Sequence, residues 1–336
     1  MPDLREDTPQ EFGYLALPQF SLLNLGSAID PLRAANRMSG RRLYAWRVIS
    51  MAGAQVPSSS GTDIVVNSTL AEIDRIANLI VVAGMEPQRY ALPAVLARLR
   101  RLARTGCRLG AVSTGSYVLA KAGLLDGYRC TIHWESLGSF REAFPDLEAT
   151  QELYEIDRDR ITCSGGTAAI DLMLNLVARQ HGHELAAGVA DQILHERIRD
   201  QHDHQRMSLP ARLGVRHPKL LAVIELMEEN LEEPLSRIDL ARSAGLSTRQ
   251  LERLFRKYLN RSPARYYLEL RLDRARLLLL QTNMSIIDVA LACGFVSASH
   301  FSKCYRDFFG RTPRKERGLP AELDALGANY LAATAQ

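Results

Sequence analysis

The sequence lacks most of the features that would take it out of the ordinary globular class. Its five cysteines (Cys107, Cys130, Cys163, Cys293 and Cys304) are odd in number and form no C-x-x-C pair. That argues against a disulfide framework and suits a reducing compartment. No stretch approaches the roughly 18 apolar residues of a membrane span, so no membrane partner is expected. The opening Met1-Pro-Asp-Leu-Arg-Glu-Asp is acidic and has no apolar core of signal-peptide length, so a cytoplasmic protein is expected. With 46% hydrophobic residues, 22 glycines and 14 prolines in 336 residues, neither disorder nor collagen fits the composition.

There is also little net charge: 42 Lys+Arg against 38 Asp+Glu leave +4. The total hides an uneven division along the chain. Residues 209–318 carry 20 basic and 12 acidic side chains, a balance of +8, whereas the rest carries 22 and 26, a balance of −4. A chain of this length predicts about two domains, each burying its own core.

From Phe12 to about Ala190, short apolar runs alternate with amphipathic segments. Strands are predicted at 12–17, 44–50, 78–82 and 108–112, and helices at 21–36, 90–104, 116–122 and 167–180. Continuous apolar strands between helices imply a parallel sheet covered on both faces, a doubly wound α/β domain at 10–195. Residues 196–217 are polar and His-rich and contain Pro210, consistent with a connection. Residues 218–318 read as helical throughout and 319–336 as a tail.

The helical region contains an internal repeat. Ile238-Asp-Leu-Ala241 and Gly245-Leu246 recur as Ile287-Asp-Val-Ala290 and Gly294-Phe295, an offset of 49; from Leu251 and Phe301 onward the offset is 50. Each copy reads as a short helix, a glycine turn, and a longer helix capped by Ser247 or Ser297. Leu251, Leu254 and Phe255, like Phe301, Cys304 and Tyr305, follow i, i+3, i+4 spacing and mark the inner face. Between the copies, Ser262-Pro263 opens a long helix. Two helix-turn-helix units on one chain can enter successive major grooves of DNA.

Residues about 219–317 resemble the DNA-binding domain of AraC/XylS-type transcription regulators in L-S-T-R-Q-L-E-R-L-F from Leu246, R-L-D-R-A-R-x-L-L from Arg271 and G-F-V-S-A-S-H-F-S-K-x-Y-R from Gly294. The resemblance places base readers at Arg249, Glu252 and Arg253 in the first copy and at Ala298, Ser299, Ser302 and Lys303 in the second. Arginine bonds guanine bidentately and glutamate accepts from cytosine N4. His300 shares the outward face, and Arg256, Lys257 and Arg306 lie further along it, suited to phosphates. Promoter DNA is the implied partner, RNA polymerase a further one, and a homodimer the expected assembly.

In the α/β region, Gly110-Ala-Val-Ser113-Thr-Gly115 sets Ser113 at a strand-to-helix turn, the context of a nucleophile elbow, with His133 available as a base. One reading is a serine-type amidase or hydrolase fused to a DNA-binding domain. The other is an anion-binding corner built from the N–H groups of residues 114–116, without catalysis. D-P-L-R-A-A-N (30–36), T-G-S-Y-V-L-A-K-A-G-L-L-D-G (114–127), T-I-H-W (131–134) and S-G-G-T-A-A-I-D (164–171) resemble the PfpI-like branch of the class I glutamine amidotransferase-like fold, a flavodoxin-like architecture. Followed by an AraC-type domain, this order is characteristic of GlxA-type regulators.

Enzymes of that fold place a cysteine at the elbow and an acidic residue after the first strand. Here those positions hold Ser113 and Asn24, so the resemblance implies a sensor with no catalytic residue and no cofactor. The implied ligand site comprises Ser113, Thr114, Gly115, Asn24, Tyr117, His133 and Trp134, with Phe20 a further candidate wall. Aromatics beside an anion corner suit a betaine, another quaternary amine or an amino acid. The similarity extends to regulators of glycine betaine, carnitine and related amine catabolism, and that likeness implies an activator. His181-x-His183 and His202-x-His204 have no accompanying ligand constellation, so no metal is expected.

The charge division makes a first prediction: a fragment from about Leu209 binds DNA with a steep salt dependence, and the preceding fragment does not. Fluorescence anisotropy across a salt series measures both.

Overall fold

The computed structural model describes residues 8–317; the first acidic residues and the expected tail at 319–336 lie outside the described residues. The described chain falls into two compact units, 8–205 and 206–317.

The first unit runs β1 (Gln10–Ala16), α1 (Leu22–Ser39), β2 (Tyr44–Ser50), β3 (Gln55–Pro57), β4 (Asp63–Val65), β5 (Ser68–Thr69), β6 (Asn78–Val82), α2 (Pro93–Arg104), β7 (Arg108–Val112) and α3 (Gly115–Lys121). It continues with β8 (Arg129–Thr131), α4 (Trp134–Ala143), β9 (Glu148–Thr150), β10 (Tyr154–Asp157), β11 (Arg160–Cys163), α5 (Ala168–His181) and α6 (His183–Gln192). Seven strands make one sheet in the order β10-β11-β7-β6-β1-β2-β5. All its pairings are parallel except β10 on β11.

Side-chain alternation explains why the central strands read as unbroken apolar runs. Phe12, Tyr14 and Ala16 of β1 enter one core with α1, α5 and α6, while Leu15 enters the other with α2, α3 and α4. In β6, Ile80 and Val82 face the first core and Leu79 and Val81 the second. Both faces are dry, so each position favours an apolar residue. Because β2 and β6 flank β1 on opposite sides, the chain reverses its winding there, and the carboxyl ends of these strands form the crevice where such sheets place ligands.

The pattern-based reading misses β3 to β5 and β8 to β11, strands of two to four residues, and the ten-residue helices α4 and α6. Gly182, at φ +94°, separates α5 from α6 with no intervening loop, so α6 has no spacer to announce it. Residues 196–217 are not free chain at either end: 195–205 are hydrogen-bonded to the α/β unit, and α7 (Leu209–Leu213) packs in the core of the helical unit that follows.

The second unit continues with α8 (Pro218–Glu229), α9 (Arg237–Ser243), α10 (Thr248–Leu259), α11 (Pro263–Gln281), α12 (Ile286–Ala292), α13 (Ala298–Phe309) and α14 (Pro313–Arg317). Serine starts five successive helices: the hydroxyls of Ser236, Ser247, Ser262, Ser285 and Ser297 each accept a backbone N–H three residues on. Each such cap is worth about 1 kcal/mol. Helix α11 is a shared spine. Tyr266 and Tyr267 enter the core of the first repeat, and Leu272, Ala275, Leu278 and Leu279 that of the second.

The second glycine turn is wedged in place. Arg271 donates to the carbonyls of Cys293 and Gly294, both at 2.7 Å, and its guanidinium lies 4.2 Å from the centroid of the Phe295 ring. Gly294 has φ +71°, and a Cβ there would lie 2.6 Å from the Pro234 ring and 2.8 Å from the Glu232 carbonyl. Gly310 shares the φ of +71° but faces open space. Gly294→Ala should therefore lower the urea midpoint more than Gly310→Ala, whose cost is limited to about 1 kcal/mol of backbone strain.

Candidate ligand pocket and nucleic-acid interface

At the carboxyl end of β7 the chain turns at Ser113, which has φ +61°, a conformation that is uncommon outside glycine and marks functional corners. The turn continues directly into α3, and Gly115 is needed there because a Cβ would lie 2.2 Å from the Val81 carbonyl oxygen. Thr114 donates its hydroxyl to the Gly84 carbonyl, and Ser116 to that of Thr131. Asn24 accepts the Gly166 N–H at 2.6 Å and donates to the Ala83 carbonyl at 3.4 Å. Ser113, Thr114 and Asn24 are all buried. Gly165 presses on both the elbow residue Ser113 and the post-strand Asn24, since a Cβ on it would lie 2.7 Å from the Cβ of Ser113 and 3.1 Å from Asn24 Oδ1. The elbow residues thus form a packed floor.

No hydrogen bond joins Ser113 to His133 among the described residues. The nearest carboxylate contact of His133 is Glu135 at 4.0 Å, and burial pushes its pKa below the usual histidine range. Burial also raises the thiols of Cys107, to about 11, and of Cys130 and Cys163, to about 12 each. These thiols stay protonated at neutral pH, which denies them nucleophilic use.

A cavity of about 170 Å³ lies beside this floor, lined by His133 and Trp134 from the start of α4, residues 164–168 leading into α5, Leu153, Arg199 and Gln205. Two of the predicted ligand residues, His133 and Trp134, line it. The expected aromatic cage does not assemble: Phe20 is fully buried in the first core, and Tyr117 stands edge-on to Phe144 with ring centroids 5.3 Å apart.

The roof of the cavity comes from the segment that the sequence presents as a connection. Asp171, fully buried in the first turn of α5, accepts from His195 Nε2 (2.8 Å) and the Arg199 backbone N–H (2.7 Å) through Oδ1. Through Oδ2 it accepts from Nε (2.9 Å) and Nη2 (2.6 Å) of Arg199. Further along, Leu153 donates its N–H to the Gln201 carbonyl. Gln205 Nε2 faces three acceptors, Thr131 Oγ1, Ile132 O and Glu152 O, which fixes the amide orientation and leaves Oε1 buried without a partner. Pattern reasoning missed this group because its members lie 24 to 28 residues from Asp171. Among the described residues no three His, Cys, Asp or Glu side chains cluster as metal ligands.

In the second unit both recognition helices turn their polar faces outward. Arg249, Arg253, Arg256 and Lys257 of α10 are exposed, as are Ser299, His300, Lys303 and Arg306 of α13, with Ala298 and Ser302 half-buried. Leu251, Phe255, Phe301 and Tyr305 are buried on the opposite faces. Glu252 is half-buried, and its carboxylate lies 3.3 Å from Arg237 Nη1 on α9, an ion pair between the two helices of the first motif. His300 stacks edge-on to Phe295 and lies 3.4 Å from Cys304 Sγ. Val296, 93% exposed in the turn before α13, is an outward residue that the charged pattern does not reveal.

Two helix-turn-helix motifs on one spine, with an α/β unit whose elbow lacks its thiolate, define a two-domain DNA-binding regulator. Residues 18–179 match the DJ-1/PfpI family and residues 240–318 the helix-turn-helix domain family. The chain is 52% identical over 309 residues to the HTH-type transcriptional regulator GbdR of Pseudomonas aeruginosa, covering 92% of this chain and 84% of that one. It is 48% identical over 310 residues to CdhR of the same organism, covering 92% of each. A crystal structure of an AraC family transcriptional regulator from Pseudomonas putida superposes with a TM-score of 0.51 at 32% identity, over 55% of this chain and all of that one. The chain belongs to the AraC-type helix-turn-helix transcription regulators that carry an N-terminal DJ-1/PfpI domain. It is a transcription regulator.

Replacing Arg253 with Ala should relax specificity at one or two base pairs, at a cost of about 1–3 kcal/mol for the preferred site. Lys257→Ala should weaken all sequences about equally. Equal losses on all sequences for Arg253→Ala would remove it from the base readers; gel-shift titrations against a randomised site library measure both.

Proposed function

We propose that this chain activates catabolic genes in response to a small amine, betaine or amino acid held in the cavity of the α/β unit. The observation that carries the reading is the conjunction of a cavity walled by Trp134 and by His133, whose pKa burial lowers, with an elbow that holds serine instead of a thiolate. A tryptophan face attracts an ammonium group, and an uncharged imidazole does not repel it. The size suits a metabolite smaller than the ligands of typical 300–1,000 Å³ pockets. The resemblance of the sequence to regulators of amine catabolism supports the same ligand class.

In this reading α10 and α13 enter successive major grooves of promoter DNA, Arg249 and Arg253 read bases, and Arg256, Lys257 and Arg306 hold phosphates. The α/β unit pairs two chains into a homodimer in the cytoplasm. Ligand binding changes the equilibrium between two arrangements only to the extent that it prefers one of them, and the preferred arrangement engages RNA polymerase.

Calorimetric titration with glycine betaine, carnitine, dimethylglycine, sarcosine and arginine, with and without promoter DNA, tests the effector class. At least one binds, and binding to none of them removes the amine reading. Ser113→Ala leaves ligand-dependent transcription intact in a reporter assay; its loss, with ligand binding retained, points instead to chemistry at the elbow.

A further inference from the structure

Arg199 is the only lining residue of the cavity with a formal charge, and it belongs to the segment that runs directly into the second unit at residue 206. Its Nε and Nη2 groups are taken by Asp171 and Thr167, while Nη1 has no partner among the described residues. Across the same space stand the first residues of α5, a 14-residue helix whose N-terminus no side chain caps. A helix N-terminus facing a guanidinium attracts a carboxylate.

We propose that the strap 195–205 is the effector-reading element: Arg199, together with the N-terminal turn of α5, holds the carboxylate of an amino-acid or betaine effector, so that ligand and Asp171 share one guanidinium. This rests on the effector reading above and adds the ligand group that is read and the segment that reads it. Asp171 is the positioning residue, since it fixes both the backbone N–H and the side chain of Arg199. Occupancy tightens the strap, and the strap is continuous with the chain that enters the DNA-reading unit.

The test uses the full-length protein and two matched pairs of probes that differ in the carboxylate: glycine betaine with choline, and arginine with agmatine. For the pair that binds, the carboxylate member binds wild type at least tenfold more tightly. In Arg199→Ala the two members bind within about twofold of each other, and Arg199→Lys restores part of the discrimination. A merely structural loss in Arg199→Ala would weaken both members alike and keep their ratio, which overturns the proposal. On the strap itself, backbone hydrogen exchange at 195–205 slows severalfold when the carboxylate probe is added, while α2 is unchanged; binding with no change at 195–205 also overturns it. Equal affinity of wild type for both members refutes the carboxylate contact and leaves the effector reading standing. Failure of every probe to bind refutes the effector reading itself.

Discussion

A carboxylate with no exposed surface organises the α/β unit around its cavity. Asp171 lies in the first turn of α5 and accepts four hydrogen bonds from His195 and Arg199. An uncompensated buried charge costs several kcal/mol, so the chain beyond α6 must fold back to supply the partners. That return path makes the cavity: it brings Arg199 and Gln205 over residues 164–168 and His133. Removing one partner therefore reaches further than one ion pair, because the same bonds set the cavity wall and the exit of the chain.

The second unit solves a different problem, that of holding two readers in a fixed relation. Each repeat buries its own inner stripe, but α11 contributes to both cores, and a helix of its 19 residues spans about 28 Å. Arg271 fastens the second turn to that spine, and Gly294 fits against Glu232 and Pro234 of the first half. The spacing of α10 and α13 is thereby built into packed contacts and does not depend on a flexible link.

Much of this was legible in the sequence, for physical reasons that can be named. Strands covered on both faces must be continuously apolar, and β2, β6 and β7 fall where those runs lie. Serine caps and i, i+3, i+4 stripes are local signals, so the helix-turn-helix units could be read residue by residue. The cavity was legible only in part. His133 and Trp134 belong to it, but whether an aromatic is core or wall is decided by distant packing, and Phe20 and Tyr117 went to the core side. The strap was illegible because its polar, His-rich text is what solvated chain also looks like; only a partner elsewhere in the fold distinguishes the two. The same holds for Glu252, whose engagement by Arg237 depends on how α9 crosses α10.

The repeat is imperfect, and the imperfection has a consequence. The extra residue falls in the second turn, where Val296 stands out, and the two outward faces differ in kind: four cations on α10, against serines, a histidine and two cations on α13. A site read by two identical units related by a dyad looks the same from either end. A site read by these two helices does not, so one chain on DNA has a front and a back. Each chain of the proposed homodimer would then bring a direction, as well as a position, to its own part of the duplex.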